Sequence, residues 1–250
     1  MTDIKSYTLE ELIQLSESLG WEHYRAYQIF QWLWQKNTAS FEQMTNLSKN
    51  LRAELVQKFY ISQLSTASII TAPDSTKKFL FLLQDGNLIE SVLISNQNRY
   101  TVCVSTQVGC PLGCRFCATA TIGFKRNLKW YEIAEQIRMI ILNTNIYPRN
   151  VVMMGMGEPF LNLDEVFKAV NLTNSDYGFK IGARRITIST AGIPEGIYRI
   201  AEFPLQIRLA ISLNATTDEI RSQLMPINNR YPISQILEAA QAYVKKPADA

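Results

Sequence analysis

The pattern of apolar and polar positions changes character twice along the chain. From Met1 to about Tyr60, apolar side chains recur at helical spacing. Thr8 followed by Glu11 predicts a capping box ahead of the first helix. Tyr24, Tyr27, Phe30 and Trp34 fall at helical spacing in a second helix, where they are expected to form a small core, with His23 a structural or surface residue. Ser48 to Phe59 reads as a third helix. From Lys77 to Ser95 the period becomes two. The runs KKFLFLL and LIESVLIS flank the turn QDGN, which predicts a β-hairpin with Glu90 inside its second strand.

Beyond Tyr100 strands and helices alternate. TVCVST, NVVMMG, RITIST and IRLAISL read as strands. KWYEIAEQIRMIILN, LDEVFKAVNLTN (capped near Asn162), a short segment from about Pro194, and ISQILEAAQAYVKK read as helices. Such alternation predicts an α/β fold with a parallel sheet or barrel. The chain therefore divides into a helical part over 1–64, a β-hairpin region over 65–97 and an α/β core over 98–250. Glycine or polar residues cluster where the core strands end: Gly155 to Glu158, Ser189-Thr190, and Ser212-Leu213-Asn214. Ligands of parallel α/β folds bind at the carboxyl ends of strands, so these clusters predict one shared pocket.

Composition narrows the class. The chain is 47% hydrophobic and 19% charged, as in soluble globular proteins. No apolar run reaches the roughly 20 residues that span a bilayer, and the start lacks a basic segment followed by an apolar one. A cytoplasmic protein without a membrane partner is the expectation. The net charge is only +3, yet Arg99 to Arg149 holds seven Lys or Arg against two acids. A positive field there fits an anionic ligand or nucleic acid.

That basic stretch surrounds the cysteines. Three of the four lie at Cys110, Cys114 and Cys117, with Cys103 upstream. Clustered cysteines in a reducing compartment point to metal or redox chemistry, and the single histidine is remote. Three thiolates with an open fourth position suit an iron–sulfur cube with one free iron, which can bind a small molecule and pass it an electron. Tetrahedral zinc is the competing reading and would recruit Cys103 or a water.

The spacing Cys110-x-x-x-Cys114-x-x-Cys117 resembles the radical S-adenosylmethionine (SAM) signature. The stretches CVSTQVGCPLGCRFCAT, GFKRNL, MGMGEPFLN, ITISTAGI, LAISLNA and MPIN resemble the RlmN/Cfr family of radical-SAM methyltransferases acting on an adenine of 23S rRNA. The resemblance runs from about Arg25 to Lys246. YRAYQIFQWLW and MTNLSKNLRAEL resemble the RlmN branch, which methylates adenine C2 and in some members also tRNA. The C8-methylating Cfr branch is the alternative, together with an inactive cluster-bearing remnant and a zinc-held RNA-binding module.

The resemblance implies a small helical domain, a β-hairpin and a partial parallel (β/α) barrel with about four of six strands. It implies a [4Fe-4S] cluster on Cys110, Cys114 and Cys117, with SAM contacts from Gly157, Glu158, Ser189 and Ser212-Leu213-Asn214. Many relatives read SLHA where this chain has SLNA, so Asn214 replaces a histidine and cannot titrate. Glu90 matches the proton acceptor, and Cys103 the thiol that resolves a protein–RNA crosslink by forming a disulfide. In the family chemistry one SAM methylates a protein cysteine, and a radical from a second SAM activates that methyl group to attack the base. A flavodoxin or ferredoxin is the implied reductant, and a monomer the implied state of the complete enzyme. Lys125, Arg126 and Lys129 are expected on RNA phosphates. The family's later strands, a further SAM contact and the ACGQL-like stretch with its methyl-carrying cysteine find no match here. The expectation is cluster assembly without completed methylation, open sheet edges and marginal stability.

Overall fold

The protein is represented by a computed structural model that describes residues 1–97 and 99–245. Lys246, the end of the ISQILEAAQAYVKK reading, and residues 247–250 lie outside it. Three helices come first: α1 (Leu9–Ser18), α2 (Tyr24–Trp34) and α3 (Lys49–Lys58). The capping box on α1 is formed. Glu11 Oε2 accepts the Thr8 N–H at 2.7 Å, and Thr8 Oγ1 accepts the Glu11 N–H at 3.3 Å. Phe30 and Trp34 are core residues, whereas Tyr24 is exposed. One of the four aromatics of the expected stripe therefore faces solvent, and Tyr27 is half-buried against Tyr177, because only part of α2 is covered by the rest of the molecule.

Next come the strands β1 (Ser65–Thr71), β2 (Lys77–Leu82), β3 (Leu88–Asn96) and β4 (Arg99–Cys103). The core then alternates: α4 (Ala118–Ile122), α5 (Trp130–Thr144), β5 (Asn150–Met153), α6 (Leu163–Asn174), β6 (Ile186–Thr190), α7 (Pro194–Glu202), β7 (Arg208–Ile211), α8 (Asp218–Leu224) and α9 (Ile233–Val244). These seven strands form one sheet in sequence order. β1 to β4 pair antiparallel, and β4 to β7 pair parallel. The four parallel strands are those the sequence predicts. The hairpin is not set apart from them, because β3 hydrogen-bonds directly to β4.

Register divides the sheet into two unlike faces, since directly paired residues share a side. Phe79, Phe81, Ile89, Leu93, Val102, Val151, Met153, Ile186 and Ile188 occupy one face and are buried in one continuous core with the helices. The other face carries Lys78, Glu90, Val92, Cys103, Val152, Thr187 and Arg208 in paired register. This second face is open: Ile70 is 60% exposed, and Leu82, Leu88 and Ile94 are exposed as well. The edges of the sheet are β1 and β7.

The helical part is locked to the core. Trp34 packs on Trp130 of α5 with ring centroids 5.7 Å apart. Lys5 is fully buried, with Nζ 2.7 Å from both Glu135 Oε2 and the Ser62 carbonyl. Arg138, also fully buried, reaches the same carboxylate at 2.7 Å through Nε. Burial lowers the Lys5 pKa to about 8, against the attraction of Glu135.

Candidate active site

The cysteine loop leaves the sheet just after β4. A short antiparallel ladder, Gln107–Val108 against Arg126–Asn127, pins its base. Gly109 turns the chain at φ +75°, and a Cβ there would overlap the carbonyl of Gly123. Gly113 also adopts positive φ, so the loop reverses twice to bring its thiols to one side. The Cys117 N–H donates to the Cys114 carbonyl at 3.1 Å, and the Arg115 N–H to the Leu224 carbonyl at 2.9 Å. The loop is thereby tied to the end of α8.

Cys110, Cys114 and Cys117 are half-buried free thiols that sense one another. Burial, with Glu158 and the other two thiols, pushes Cys110 up to about 11. Burial also raises Cys114, reinforced by Cys117 and Glu158 and opposed by Arg221. Among the described residues, no three His, Cys, Asp or Glu side chains converge tightly enough to hold a single ion. A cube asks for a wider triangle, because each thiolate binds its own iron. The donor set, three soft thiols with no imidazole beside them, fits a [4Fe-4S] cluster. Cys103 does not join the triad, which removes one of the two fourth ligands that the zinc reading offered. It lies buried on the open face of β4, held by the Met154 backbone N–H and raised by burial.

The loop after β5 approaches the cysteine side through its glycines. A Cβ on Gly155 would stand 2.7 Å from Ser105 Oγ, and one on Gly157 (φ +103°) 2.6 Å from Gln107 Cβ. The Glu158 N–H donates to Gln107 Oε1 at 2.8 Å. The Glu158 carboxylate is buried and its pKa is raised by that burial. It accepts the N–H groups of Phe160 at 3.1 Å and Ala191 at 2.7 Å, joining the loops after β5 and β6. Ser189 Oγ lies 3.4 Å from Ser212 Oγ, so the ends of β6 and β7 meet. Asn214 takes positive φ, and its amide donates to the Ser212 carbonyl at 3.3 Å. Leu213 offers its carbonyl to Arg221 Nε at 3.0 Å.

Glu90 lies on the open face, two residues from Val92, which pairs with Cys103. Its carboxylate takes Lys78 Nζ at 3.0 Å. Its backbone is fixed by a buried network that the sequence reading missed. Ser105 Oγ donates to the Glu90 carbonyl at 2.6 Å and accepts the Met156 N–H at 2.9 Å. Gln136 of α5 holds Ser105 through both its backbone groups and accepts Ser91 Oγ at 2.6 Å. Arg221, wholly buried, was missed too. The one available signal was polar residues standing inside apolar segments: Gln136 in AEQIRMII, and Ser105 to Gln107 just before the cysteines.

Two sequence expectations change. Asn162 stands at the N-cap of α6 as expected, but its side chain makes no capping bond. Its amide donates to the Thr106 and Leu128 carbonyls at 2.9 and 2.8 Å and stitches the base of the cysteine loop. The basic stretch is partly spent on internal pairs. Arg126 binds Glu132 at 2.7 Å and Asp85 at 2.6 Å, and Arg138 is consumed by Glu135. Lys125, with its amine on Asn87 Oδ1 at 2.9 Å, remains at the surface. Among the described residues no helix is long and apolar enough to cross a membrane.

Comparison with known proteins agrees with this geometry. Residues 104–247 match the model of the Radical SAM superfamily, and residues 2–61 match that of the ribosomal RNA large subunit methyltransferase N-terminal domain. The chain is 46% identical over 242 residues to the dual-specificity RNA methyltransferase RlmN of Pelobacter propionicus, covering 97% of this chain and 69% of that protein. It is 47% identical to a probable RlmN of Dictyoglomus turgidum, covering 98% and 71%. A radical SAM methyltransferase from Sphaerobacter thermophilus superposes with a TM-score of 0.91 at 40% identity, over 98% of this chain and 73% of that one. Members of this family use a [4Fe-4S] cluster and SAM, and with cysteine loop, strand-end loops and both family models in agreement, the chain belongs to the RlmN family of radical SAM RNA methyltransferases.

Proposed function

We propose that this chain supplies the cluster- and SAM-binding core of an enzyme that methylates C2 of an adenine in 23S rRNA, with tRNA as a second substrate. The single observation that supports this best is the common placement of Glu90, Cys103 and the β6 and β7 loop residues. Glu90 and Cys103 occupy one open sheet face, and Ser189 meets Ser212 at the strand ends beyond it. In this reading residues 1–64 engage RNA, 65–97 carry the base on the sheet, and 98–250 hold the cofactors.

Cys110, Cys114 and Cys117 hold the cluster. Gly157, Glu158, Ser189 and Ser212 to Asn214 cradle SAM, with Gly157 admitting close approach and Glu158 fixing two loops at once. Together these groups supply the radical chemistry that an electron-poor ring carbon requires, because C2 resists ordinary methyl transfer. Glu90 accepts the C2 proton, and Lys78 orients its carboxylate. Cys103 resolves the covalent protein–RNA adduct. Its thiol must ionise to attack, and the Met154 N–H stabilises the thiolate against the cost of burial. The methyl-carrying thiol of the family chemistry is none of the four cysteines of residues 1–250, since each already has a role. A flavodoxin or ferredoxin serves as reductant, and the working enzyme is monomeric and cytoplasmic.

The test is deletion of the gene in its own cells, with mass spectrometry of 23S rRNA and tRNA nucleosides. Loss of 2-methyladenosine, restored by the wild-type gene but not by Glu90→Gln or Cys103→Ala, is the expected result. Unchanged 2-methyladenosine, or loss of 8-methyladenosine in its place, would overturn the C2 assignment.

A further inference from the structure

Among the described residues Arg221 is the one fully buried cation at the site, and it is 0% exposed. Among the described residues it forms no ion pair with any carboxylate. Its guanidinium is spent on neutral acceptors: the Leu213 carbonyl at 3.0 Å, Asn228 Oδ1 at 2.7 Å, the Tyr231 carbonyl at 3.5 Å, and the Ala191 carbonyl. Asp218, on the same helix, faces solvent and gives its carboxylate to Asn228 and the Ile233 N–H. The charge of Arg221 therefore has no directly bonded counterion: dipoles solvate it, and Asp218 acts on it only at a distance, across Asn228. A charge buried in that way is costly unless an opposite charge arrives.

Its placement identifies what arrives. The Arg115 N–H joins the cysteine loop to the carbonyl of Leu224, one turn along α8 from Arg221. Cys114 and Arg221 lie within electrostatic reach of each other. Ala191 is held at its N–H by Glu158 and at its carbonyl by Arg221, so the guanidinium stands across one residue from the proposed SAM loop. A cube bound by three thiolates is anionic, and it becomes more so when it gains an electron from an external one-electron donor. Net charge and local environment are among the quantities that set cluster potential.

We infer that Arg221 is a positioning residue whose buried charge stabilises the reduced cluster and raises its reduction potential. The inference rests on Cys110, Cys114 and Cys117 as the cluster ligands. Two substitutions separate charge from hydrogen bonding. Arg221→Gln keeps acceptor partners but removes the charge, and Arg221→Lys keeps the charge but loses the fork.

The experiment uses the full chain, reconstituted anaerobically with iron and sulfide. The ratio of reduced to oxidised cluster is read by electron paramagnetic resonance in a dithionite titration with mediators. At fixed ambient potential that ratio is expected to fall at least tenfold in Arg221→Gln, a 59 mV shift for one electron, and to stay within threefold in Arg221→Lys. Uptake of the cluster by the Lys variant alone would also support the inference. Equal shifts in both variants, no shift in either, or failure of both to take up the cluster would overturn it. The wild-type protein provides an independent check. Because Arg221 is shielded from ions, raising salt from about 0.05 to 1 M should change the ratio less than twofold. A larger fall would assign the tuning to surface cations such as Arg115 and Lys125, and would equally overturn the inference. If the wild-type chain takes up no cluster, the ligand assignment itself fails, and this inference with it.

Discussion

Among the described residues two sets of cations are fully buried, and they are treated differently. Lys5 and Arg138 lie where the N-terminal segment meets α5, and they share the carboxylate of Glu135. Arg221 lies behind the cysteine loop and has carbonyls and an amide but no acid. The first set is complete within the chain, and it serves as a seam between the helical part and the sheet. The second is compensated only at longer range, by Asp218 beyond Asn228, and has room for something anionic to bind closer. A buried charge neutralised on the spot marks architecture, and one left to dipoles marks the place where a charged ligand belongs.

The largest effect that would test this contrast comes from Glu135→Gln. It leaves two buried cations facing each other with only the more distant Asp3 acting on Lys5, and should cost about 3–5 kcal/mol of unfolding free energy. Chemical denaturation measures it, and a cost below about 1 kcal/mol would remove the distinction between the two sets. Gly157→Ala comes next. Its Cβ would lie 2.6 Å from Gln107 Cβ on a backbone at φ +103°, so about 2–3 kcal/mol of destabilisation is expected, with loss of SAM binding by calorimetry.

A smaller effect follows pH. The folded-state pKa of Lys5 is depressed from 10.5 to about 8. Between those values the unfolded chain binds the extra proton, so the stability penalty is full below about pH 8 and is relieved as pH rises towards 10.5. The wild type should therefore gain on Lys5→Met over that window by up to about 1.4 kcal/mol per pH unit. A flat difference between the two denaturation series would show that Lys5 keeps an ordinary affinity for its proton. The smallest effect concerns RNA. Replacing Lys125 and Lys129 together by Ala should lower the slope of log affinity against log salt by about 1–2, and an unchanged slope would remove both from the phosphate contacts.

Much of the fold can be read from periodicity, and the reasons for the misses are local. The alternating runs of β2 and β3 and the long amphipathic α5 announce themselves because each presents one buried face. β1 went unseen because STASIIT is an edge strand exposed almost throughout, with no alternation to detect. α8 is a short helix whose main buried side chain is an arginine, so no apolar stripe marks it. In the site, the cysteine spacing and strand-end loops are legible because they are contiguous. The Ser105–Gln136 network joins residues far apart in sequence, and the sharing of one face by Glu90 and Cys103 depends on register. The Arg126–Asp85 pair is invisible in the sequence because folding alone brings it together, whereas the Arg138–Glu135 pair is an i,i+3 neighbour on α5 that the spacing already offered.

The most direct test of the central claim is the metal content of the full chain after anaerobic reconstitution, followed by spectroscopy of the reduced protein with and without SAM. The account predicts iron and acid-labile sulfide in equal amounts, about four of each per chain, and a resonance signal that changes when SAM is added. Zinc without sulfide, or an iron–sulfur signal indifferent to SAM, would contradict it.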